Sequence, residues 1–336
     1  MSALAGELAT VLEGTGGVWR VRTERGEVHD VSLRGRLKKG ADARKGTQRG
    51  TDVRIAKDAE WRKLTVGDRV RLERDAREAA WSIGEILPRV SQLARREPGG
   101  RHGERILAAN VDQVVVVFAA ANPEPHVRML DRFLVIAEAN DLRARVVVNK
   151  ADLAAGGTAA VSVRFAEYER LGYPLHVTAV PRGPAGARPV GLEALREALD
   201  GRTSVVTGPS GVGKSSLLNA LYPGLRLRTG DVSLAVNKGR HTTVGAFLHP
   251  LPAGGYVVDT PGLREVGTWG IEAARLGDCF PEVRAHAFAC RFADCAHRAE
   301  PDCAVRGAIG TDISAERYES YCRLRDELEA DAARGR

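Results

Sequence analysis

The sequence has few cysteines and few aromatic residues, and it lacks a long apolar run and a secretion signal. No run of about 18 uncharged apolar residues is present, so no membrane span is predicted. Residues 1–14 contain two glutamates and no basic residue, which is unlike a secretory signal. We therefore expect a reducing cytoplasm, where the 5 cysteines serve as thiols or metal ligands rather than in disulfides.

Acidic residues are fewer than basic residues only in the first third of the chain. Residues 1–110 contain 23 Lys and Arg against 16 Asp and Glu, whereas residues 111–336 contain 27 of each. The net charge of +7 therefore belongs to the first third. Such a basic patch favours a polyanionic partner, and an ordinary solvated surface is the alternative.

Short alternating runs separated by turns predict a small β-barrel in this basic third, with an OB-fold as the leading candidate. The predicted strands lie at residues 18–22, 28–33, 64–72 and 81–87. Residues 38–58 are rich in Lys and Arg and have almost no large apolar side chains, so they are interpreted as a long basic loop. An OB barrel with such a loop is suited to tracking a nucleic-acid backbone. Residues 89–105 are interpreted as a linker.

A glycine-rich loop lies between an apolar strand at residues 203–207 and a helix at residues 216–221. This order of strand, loop and helix is the context that a phosphate-binding P-loop requires. Its N–H groups and the helix N-terminus favour phosphate, Lys214 is placed for the β- and γ-phosphates, and Ser215 is placed for Mg²⁺. The predicted nucleotide-binding residues here are Gly208, Pro209, Ser210, Gly211, Val212, Gly213, Lys214, Ser215 and Ser216.

The four residues Asn149, Lys150, Ala151 and Asp152 follow a predicted strand at residues 145–148. The Asp152 carboxylate can accept hydrogen bonds from both N1–H and the 2-amino group of guanine, and adenine offers no such pair. The Lys150 stem can lie over the base plane. A further strand at residues 175–179 ends in Thr178 and Ala179, which resemble the weak GTPase motif that backs the base. These residues indicate a guanine nucleotide.

Two elements after the P-loop resemble the switch regions of a GTPase. Thr242 and Thr243 are candidates for Mg²⁺ and the γ-phosphate, and the alternatives between them stay open. Asp259 ends a strand and stands where a Mg²⁺-binding carboxylate is expected, and the Gly262 N–H can bond the γ-phosphate. The base-reading motif precedes the P-loop here, the reverse of ordinary GTPases. All these loops meet at one edge of the sheet, so a circular permutation preserves the site.

The last third contains a compact set of metal-binding residues. Cys290, Cys295, His297 and Cys303 offer three thiolates and one imidazole, a complete tetrahedral set for a structural Zn²⁺. Free thiols or a disulfide are the alternatives. The region is too short to form a large core, so we expect zinc to contribute its folding energy. Because the second switch leads almost directly into this region, contacts at Gly262 are expected to move it as a unit.

Taken together, these motifs resemble the RsgA family, the GTPases that depend on the small ribosomal subunit. The resemblance implies a GTP hydrolase with Mg²⁺, stimulated by the small subunit and its rRNA during late maturation of that subunit. Leu263 stands where other GTPases carry a glutamine that positions water, and an apolar side chain cannot orient water. The resemblance suggests His241 as the catalytic substitute, and local packing of this histidine is the alternative.

The resulting fold class is multidomain α/β with three domains. Residues 1–95 form an OB-type RNA-binding barrel, residues 96–270 a circularly permuted P-loop GTPase domain, and residues 271–336 a helical zinc-binding domain. We expect a monomer that binds GTP and GDP and has no membrane partner. The competing hypotheses are a GTP-gated RNA-binding module with incidental hydrolysis and a P-loop kinase.

Overall fold

The computed structural model describes residues 6–33, 64–74, 80–96, 104–181, 188–227, 246–259 and 271–334. Its first part is a closed five-stranded barrel in the order β1-β2-β3-β5-β4. The strands are β1 (Glu7–Thr15), β2 (Val18–Thr23), β3 (Val28–Leu33), β4 (Arg69–Arg74) and β5 (Trp81–Ile86). Alternating side chains fill the interior, where Val21, Leu72 and Ile83 are fully buried. The predicted barrel is confirmed, although β1 was not among the predicted strands.

The strand β6 (Gln92–Arg96) and the first two residues of β7 (Glu104–Ala109) lie in the stretch at residues 89–105 that was interpreted from sequence as a linker. The two strands pair antiparallel as a separate two-stranded sheet. Leu93 and Ala108 are buried in the same hydrophobic cluster as the central sheet. Burial of this face explains the strands, so the linker interpretation was wrong for these residues. The pattern was hidden because the stretch is rich in arginine and glycine.

The central sheet has six strands in the order β10-β9-β8-β11-β13-β12. They are β8 (Gln113–Ala119), β9 (Arg143–Asn149), β10 (Leu175–Val177), β11 (Thr203–Thr207), β12 (Phe247–Pro250) and β13 (Tyr256–Asp259). All pairings are parallel except that of β12 with β13. β8 is buried along its whole length, as expected for a central parallel strand. The order places the base-reading strand β9 and the P-loop strand β11 on either side of β8.

Helices cover both faces of this sheet and connect its parallel strands. They are α1 (Val127–Ala139), α2 (Gly157–Arg170), α3 (Leu192–Leu199) and α4 (Lys214–Leu221). Leu130, Phe133 and Leu134 of α1 pack on the face that carries Val116 and Val146. On the other face, α3 and α4 pack on Val115 and Val206. In a sheet of this kind, ligands bind at the carboxyl ends of the strands.

The last part is helical, as predicted. A 3₁₀ helix (Ala273–Cys279) precedes α5 (Pro281–Ala287), α6 (Ala304–Gly307) and the long α7 (Ala315–Ala333). The Ser314 side chain caps α7 by accepting a hydrogen bond from the Arg317 N–H. Phe280 and Tyr321 form an edge-to-face pair, with ring centroids 5.6 Å apart, inside a separate hydrophobic cluster. None of the described helices has the length and apolar character of a membrane span.

Candidate nucleotide and metal sites

The P-loop joins β11 to α4 with a backbone that only glycine can follow. Gly208 has a φ of +135°, and a Cβ there would lie 2.0 Å from the Val117 carbonyl oxygen. Gly213 has a φ of +92°, and a Cβ there would lie 2.6 Å from Asn149 Nδ2. The Lys214 ammonium donates to the carbonyls of Gly208 and Pro209, each at 2.7 Å. These contacts curl the loop into the concave shape that a phosphate group requires.

Asn149 connects the base-reading motif to the P-loop. Its side chain is buried at the end of β9 and donates from Nδ2 to the Val212 carbonyl at 3.0 Å. Its Oδ1 accepts from the Thr178 hydroxyl at 3.2 Å. The structure therefore brings three separately predicted segments together through one amide side chain. Val212 itself is buried, so its carbonyl stays in place for this bond.

Lys150 adopts a left-handed backbone, with a φ of 59°, which turns the chain sharply after β9. Its ammonium donates to the Asn122 carbonyl, in the loop at residues 120–126 that follows β8. Asp152 is exposed on the next turn, a 3₁₀ helix (Ala151–Leu153), while Ala151 is buried. The carboxylate of Asp152 is therefore accessible to a ligand at the strand ends, and the two neighbouring residues fix the backbone that carries it.

Thr178 and Ala179 lie beside this turn. Thr178 is completely buried, and its carbonyl accepts from the Ala151 N–H at 3.1 Å. The Ala179 N–H donates to the Val190 carbonyl at 3.1 Å. The Ala179 N–H thus already has a partner, and its small side chain is buried at this edge.

The residues predicted for Mg²⁺ and for catalysis are described only in part. Ser215 is half-buried in the first turn of α4, next to Lys214. Asp259 ends β13, which pairs with the P-loop strand β11, so its backbone reaches the same edge of the sheet. The hydroxyl of Ser215 fits the ligand preference of Mg²⁺ for oxygen. The predicted site residues His241, Thr242, Thr243 and Gly262 lie outside the described residues, as does the basic segment at residues 38–58.

The four predicted zinc ligands come together in one cluster. Their ligand atoms all lie within 4.8 Å of one another. His297 Nδ1 is 3.5 Å from the sulfur atoms of both Cys290 and Cys303, and these two sulfurs are 3.9 Å apart. A zinc tetrahedron with bonds of about 2.1 and 2.3 Å requires edges of about 3.6 to 3.8 Å. The cluster therefore fits Zn²⁺ in size and in donor chemistry.

The surroundings of the cluster favour the metal-binding forms of His297 and Cys290 but not that of Cys295. Burial lowers the pKa of His297, which keeps its imidazole neutral. Burial acts to raise the pKa of Cys290, but hydrogen bonds from the Val305 and Ala304 N–H groups of α6 outweigh it and lower that pKa. Burial and the neighbouring Cys303 raise the pKa of Cys295 to about 12. Crowded thiols resist losing all their protons, and a bound divalent cation removes that resistance.

Glu300 organises the chain between the second and fourth ligands. Its carboxylate accepts from the N–H groups of Ala296 at 2.7 Å, Arg298 at 2.8 Å and Ala299 at 3.0 Å. Hydrogen bonds from its own N–H and from these three lower its pKa to about 2. The carboxylate thus holds the turn on which His297 is presented. Sequence reasoning missed it, although a glutamate inside a Cys/His cluster is a usable signal.

A second set of residues missed from sequence is a buried ionic cluster outside the Cys/His cluster. Asp131 and Arg317 are each 2% exposed, and Glu282 is 3% exposed, measured on their side chains. Charged residues are almost never buried to this extent unless they are paired. In the sequence each of them has the appearance of an ordinary solvent-facing residue of a helix.

Comparison with known proteins gives similarity along nearly the whole chain. A family model described as RsgA GTPase matches residues 86–269. A Gemmatimonas aurantiaca protein named small ribosomal subunit biogenesis GTPase RsgA is 58% identical over 95% of this chain and 96% of its own. A Bacteroides fragilis protein of the same name is 34% identical over the same shares of the two chains.

Solved structures with this fold are similar over the same length. The crystal structure of YjeQ from Thermotoga maritima aligns with a TM-score of 0.73 and 33% identity, covering 96% of this chain and 98% of its own. The structure of YloQ, described as a circularly permuted GTPase, aligns with a TM-score of 0.71 and 26% identity, covering 98% and 96%. Barrel, permuted sheet and helical end therefore recur together in these proteins.

Proposed function

Because the chain belongs to the RsgA GTPase family, we propose that it hydrolyses GTP while bound to the small ribosomal subunit, during late maturation of that subunit. The observation that carries this proposal is the Asn149 side chain, which joins the guanine-reading turn, the P-loop carbonyl of Val212 and Thr178. A site built in this way recognises the base and the phosphates of one ligand together. GTP and GDP are the ligands that fit both halves.

The P-loop and the base-reading turn have different tasks in binding. Backbone N–H groups of the loop and the Lys214 ammonium would face the negative charge of the phosphates. Negative charge grows on the leaving group as the γ-phosphate departs, so these groups would also stabilise the transition state. Asp152 accepts the two donors of guanine. Ser215, Asp259 and one of Thr242 and Thr243 would hold Mg²⁺, which neutralises phosphate charge when bound.

Turnover is proposed to depend on the ribosomal subunit. Leu263 cannot orient a water molecule, so the isolated protein is expected to hydrolyse GTP slowly. We assign His241 as the group that orients water once the subunit fixes the first switch, with the Gly262 N–H holding the γ-phosphate. The basic barrel and the segment at residues 38–58 are proposed to bind rRNA through its phosphates.

The zinc cluster is proposed to be structural, since its four protein ligands leave no open position for a substrate. The proposed domains end near residues 95, 270 and 336, and we place the protein in the cytoplasm as a monomer. The metal would then fix the turn that includes His297 and Glu300, and with it the packing of α7.

The decisive experiment measures GTP hydrolysis by the full chain with and without purified small subunits. We expect strong stimulation, and we expect His241→Ala to abolish most of it while leaving the affinity for GDP unchanged. If His241→Ala kept the full rate of GTP hydrolysis in the presence of small subunits, the assignment of His241 would be wrong. A rate that does not respond to subunits, with RNA binding that depends on GTP, would instead support a GTP-gated RNA-binding module. Phosphate found on a second substrate, rather than free in solution, would indicate a kinase.

A further inference from the structure

Arg317 of α7 is a buried guanidinium between the zinc-binding region and the central sheet. It donates from Nη1 to Asp131 of α1 at 2.5 Å. It donates from Nε and Nη2 to the two oxygens of Glu282 in α5, at 2.7 and 3.3 Å. Its guanidinium also lies 4.6 Å from the Phe280 ring centroid and 5.6 Å from that of Tyr168. One side chain therefore contacts elements on both sides of this boundary.

Asp131 extends the connection to a second helix of the nucleotide-binding part. Its carboxylate, 2% exposed, also accepts from the Tyr168 hydroxyl of α2 at 2.7 Å. In the same way, α1 is shared by two cores: Leu134 packs on the central sheet and Val135 packs in the cluster of the zinc-binding region. The helices α1 and α2 flank β9, the strand that ends in the base-reading turn. Both are thus held by Arg317 through one carboxylate.

The loop at residues 120–126 connects α1 directly to the nucleotide site. The Ala120 N–H donates to the Asn149 carbonyl at 2.7 Å, and the Asn122 carbonyl accepts from the Lys150 ammonium. Pro123 lies beside the P-loop, since a Cβ added to Gly211 would be 3.7 Å from its Cδ. A displacement of α1 would therefore change the position of Lys150, which we expect to lie over the guanine base.

We propose that Arg317 is a positioning residue for guanine nucleotide binding, acting through Asp131 on α1 and on the loop that carries the Lys150 contact. This inference rests on the proposed binding of GTP and GDP. The base and ribose are common to both nucleotides, so the contribution of Arg317 to their two affinities is equal. Coupling through the second switch would instead change the affinity for GTP more than the affinity for GDP, because that switch is expected to contact the γ-phosphate.

The test measures the Kd of fluorescent GDP and of a fluorescent non-hydrolysable GTP analogue for the zinc-loaded full chain and its variants. In Arg317→Lys and Asp131→Asn we expect both Kd values to rise by about fivefold or more, and by the same factor. Tyr168→Phe removes only the bond from α2 to Asp131, so a smaller and again equal rise is expected. Binding stoichiometry is recorded, because a misfolded fraction lowers the stoichiometry and leaves the Kd of the folded fraction unchanged.

Glu282→Gln is the matched control. This change weakens the contact of Arg317 with α5 in the zinc-binding region and leaves its contact with Asp131. The Kd values of this variant for both nucleotides should therefore stay within about twofold of the wild type. A rise confined to the GTP analogue, or unchanged Kd values in Asp131→Asn, Arg317→Lys and Tyr168→Phe at full stoichiometry, would overturn the proposal. Failure of the wild-type protein to bind guanine nucleotides would refute the proposed function itself.

Discussion

At the residue scale, the exposed carboxylate of Asp152 is expected to decide which base is bound. The two residues before it are fixed, Lys150 by its contact with Asn122 and Ala151 by its N–H bond to Thr178. The side chain itself is accessible to a ligand. Because the scaffold holds the turn without help from Asp152, exchanging its chemistry should change specificity and leave the fold unaltered.

We predict that Asp152→Asn changes the base preference of the site from guanine to xanthine. The amide loses two charge-assisted hydrogen bonds to guanine, each of about 1.5 to 3 kcal/mol, so GTP affinity should fall by about 10² to 10⁴. Xanthine presents a 2-oxo group that accepts from the new amide N–H. Competition of GTP and XTP against fluorescent GDP checks this expectation. Equal losses for both nucleotides would show that Asp152 has a structural role in the turn.

At the element scale, the turn between Cys295 and Cys303 depends on one carboxylate. Glu300 has a pKa of about 2 in the folded protein, below the usual value near 4.3 for an unfolded chain. A depressed pKa gives stability that is present above about pH 4.3 and is lost as the pH falls toward 2. Because the group is close to solvent, we expect a contribution of only about 1 kcal/mol.

We therefore predict that Glu300→Gln weakens hydrogen-exchange protection across residues 290–303 in the zinc-loaded protein at pH 7 and pH 5. The difference in protection between the wild type and Glu300→Gln should narrow as the pH falls from 5 to 4, because the stabilisation by the wild-type carboxylate begins to decline below about pH 4.3. Glu316→Gln changes an exposed glutamate in the first turn of α7 and serves as the control, with protection unchanged. A constant difference between the wild type and Glu300→Gln from pH 7 to pH 4 would contradict the assignment of the low pKa.

Sequence reasoning succeeded for elements with a strong local pattern and missed those that depend on tertiary contacts. The P-loop, the turn after β9 and the Cys/His cluster are local, because their chemistry is contained in a few successive residues. β1 was missed because a register shift between Val11 and Glu13 interrupts its alternation. α2 was missed because it begins with Gly157 and its Val163 faces solvent. The partners of Arg317 are far away in sequence, so no local pattern indicates its burial.

At the scale of the whole molecule, the barrel and the central sheet are joined by a buried and specific interface. Leu12 and Val66 of the barrel belong to the same hydrophobic cluster as the sheet. The Gly67 carbonyl accepts from Asn110 Nδ2 at 2.9 Å, and Asp68 forms a buried ion pair with Arg89 at 2.7 Å. These contacts give Gly67, Asp68, Arg89 and Asn110 a packing role at the interface.

This interface also brings the barrel against β12 of the central sheet. β1 contacts β12, which begins only four residues after Thr243. If the barrel binds rRNA as proposed, it is therefore linked through β12 to the chain segment that carries His241. We infer that hydrolysis stimulated by the subunit requires the barrel to be docked, whereas nucleotide binding does not, because the P-loop and the base-reading turn contain no barrel residue.

We predict that Gly67→Ala separates these two properties. Gly67 has a φ of +83°, and a Cβ there would lie 2.1 Å from the Ala109 carbonyl oxygen, so the barrel turn and β7 must move apart. Stimulation of GTP hydrolysis by small subunits should fall at least about tenfold, while the Kd for GDP stays within about twofold. The control is Gly16→Ala, which has a similar backbone strain at a φ of +61° but open space around the new methyl group. If both variants respond to subunits equally, docking of the barrel is not required for stimulation, and rRNA bound by the barrel would act on the switch by another route.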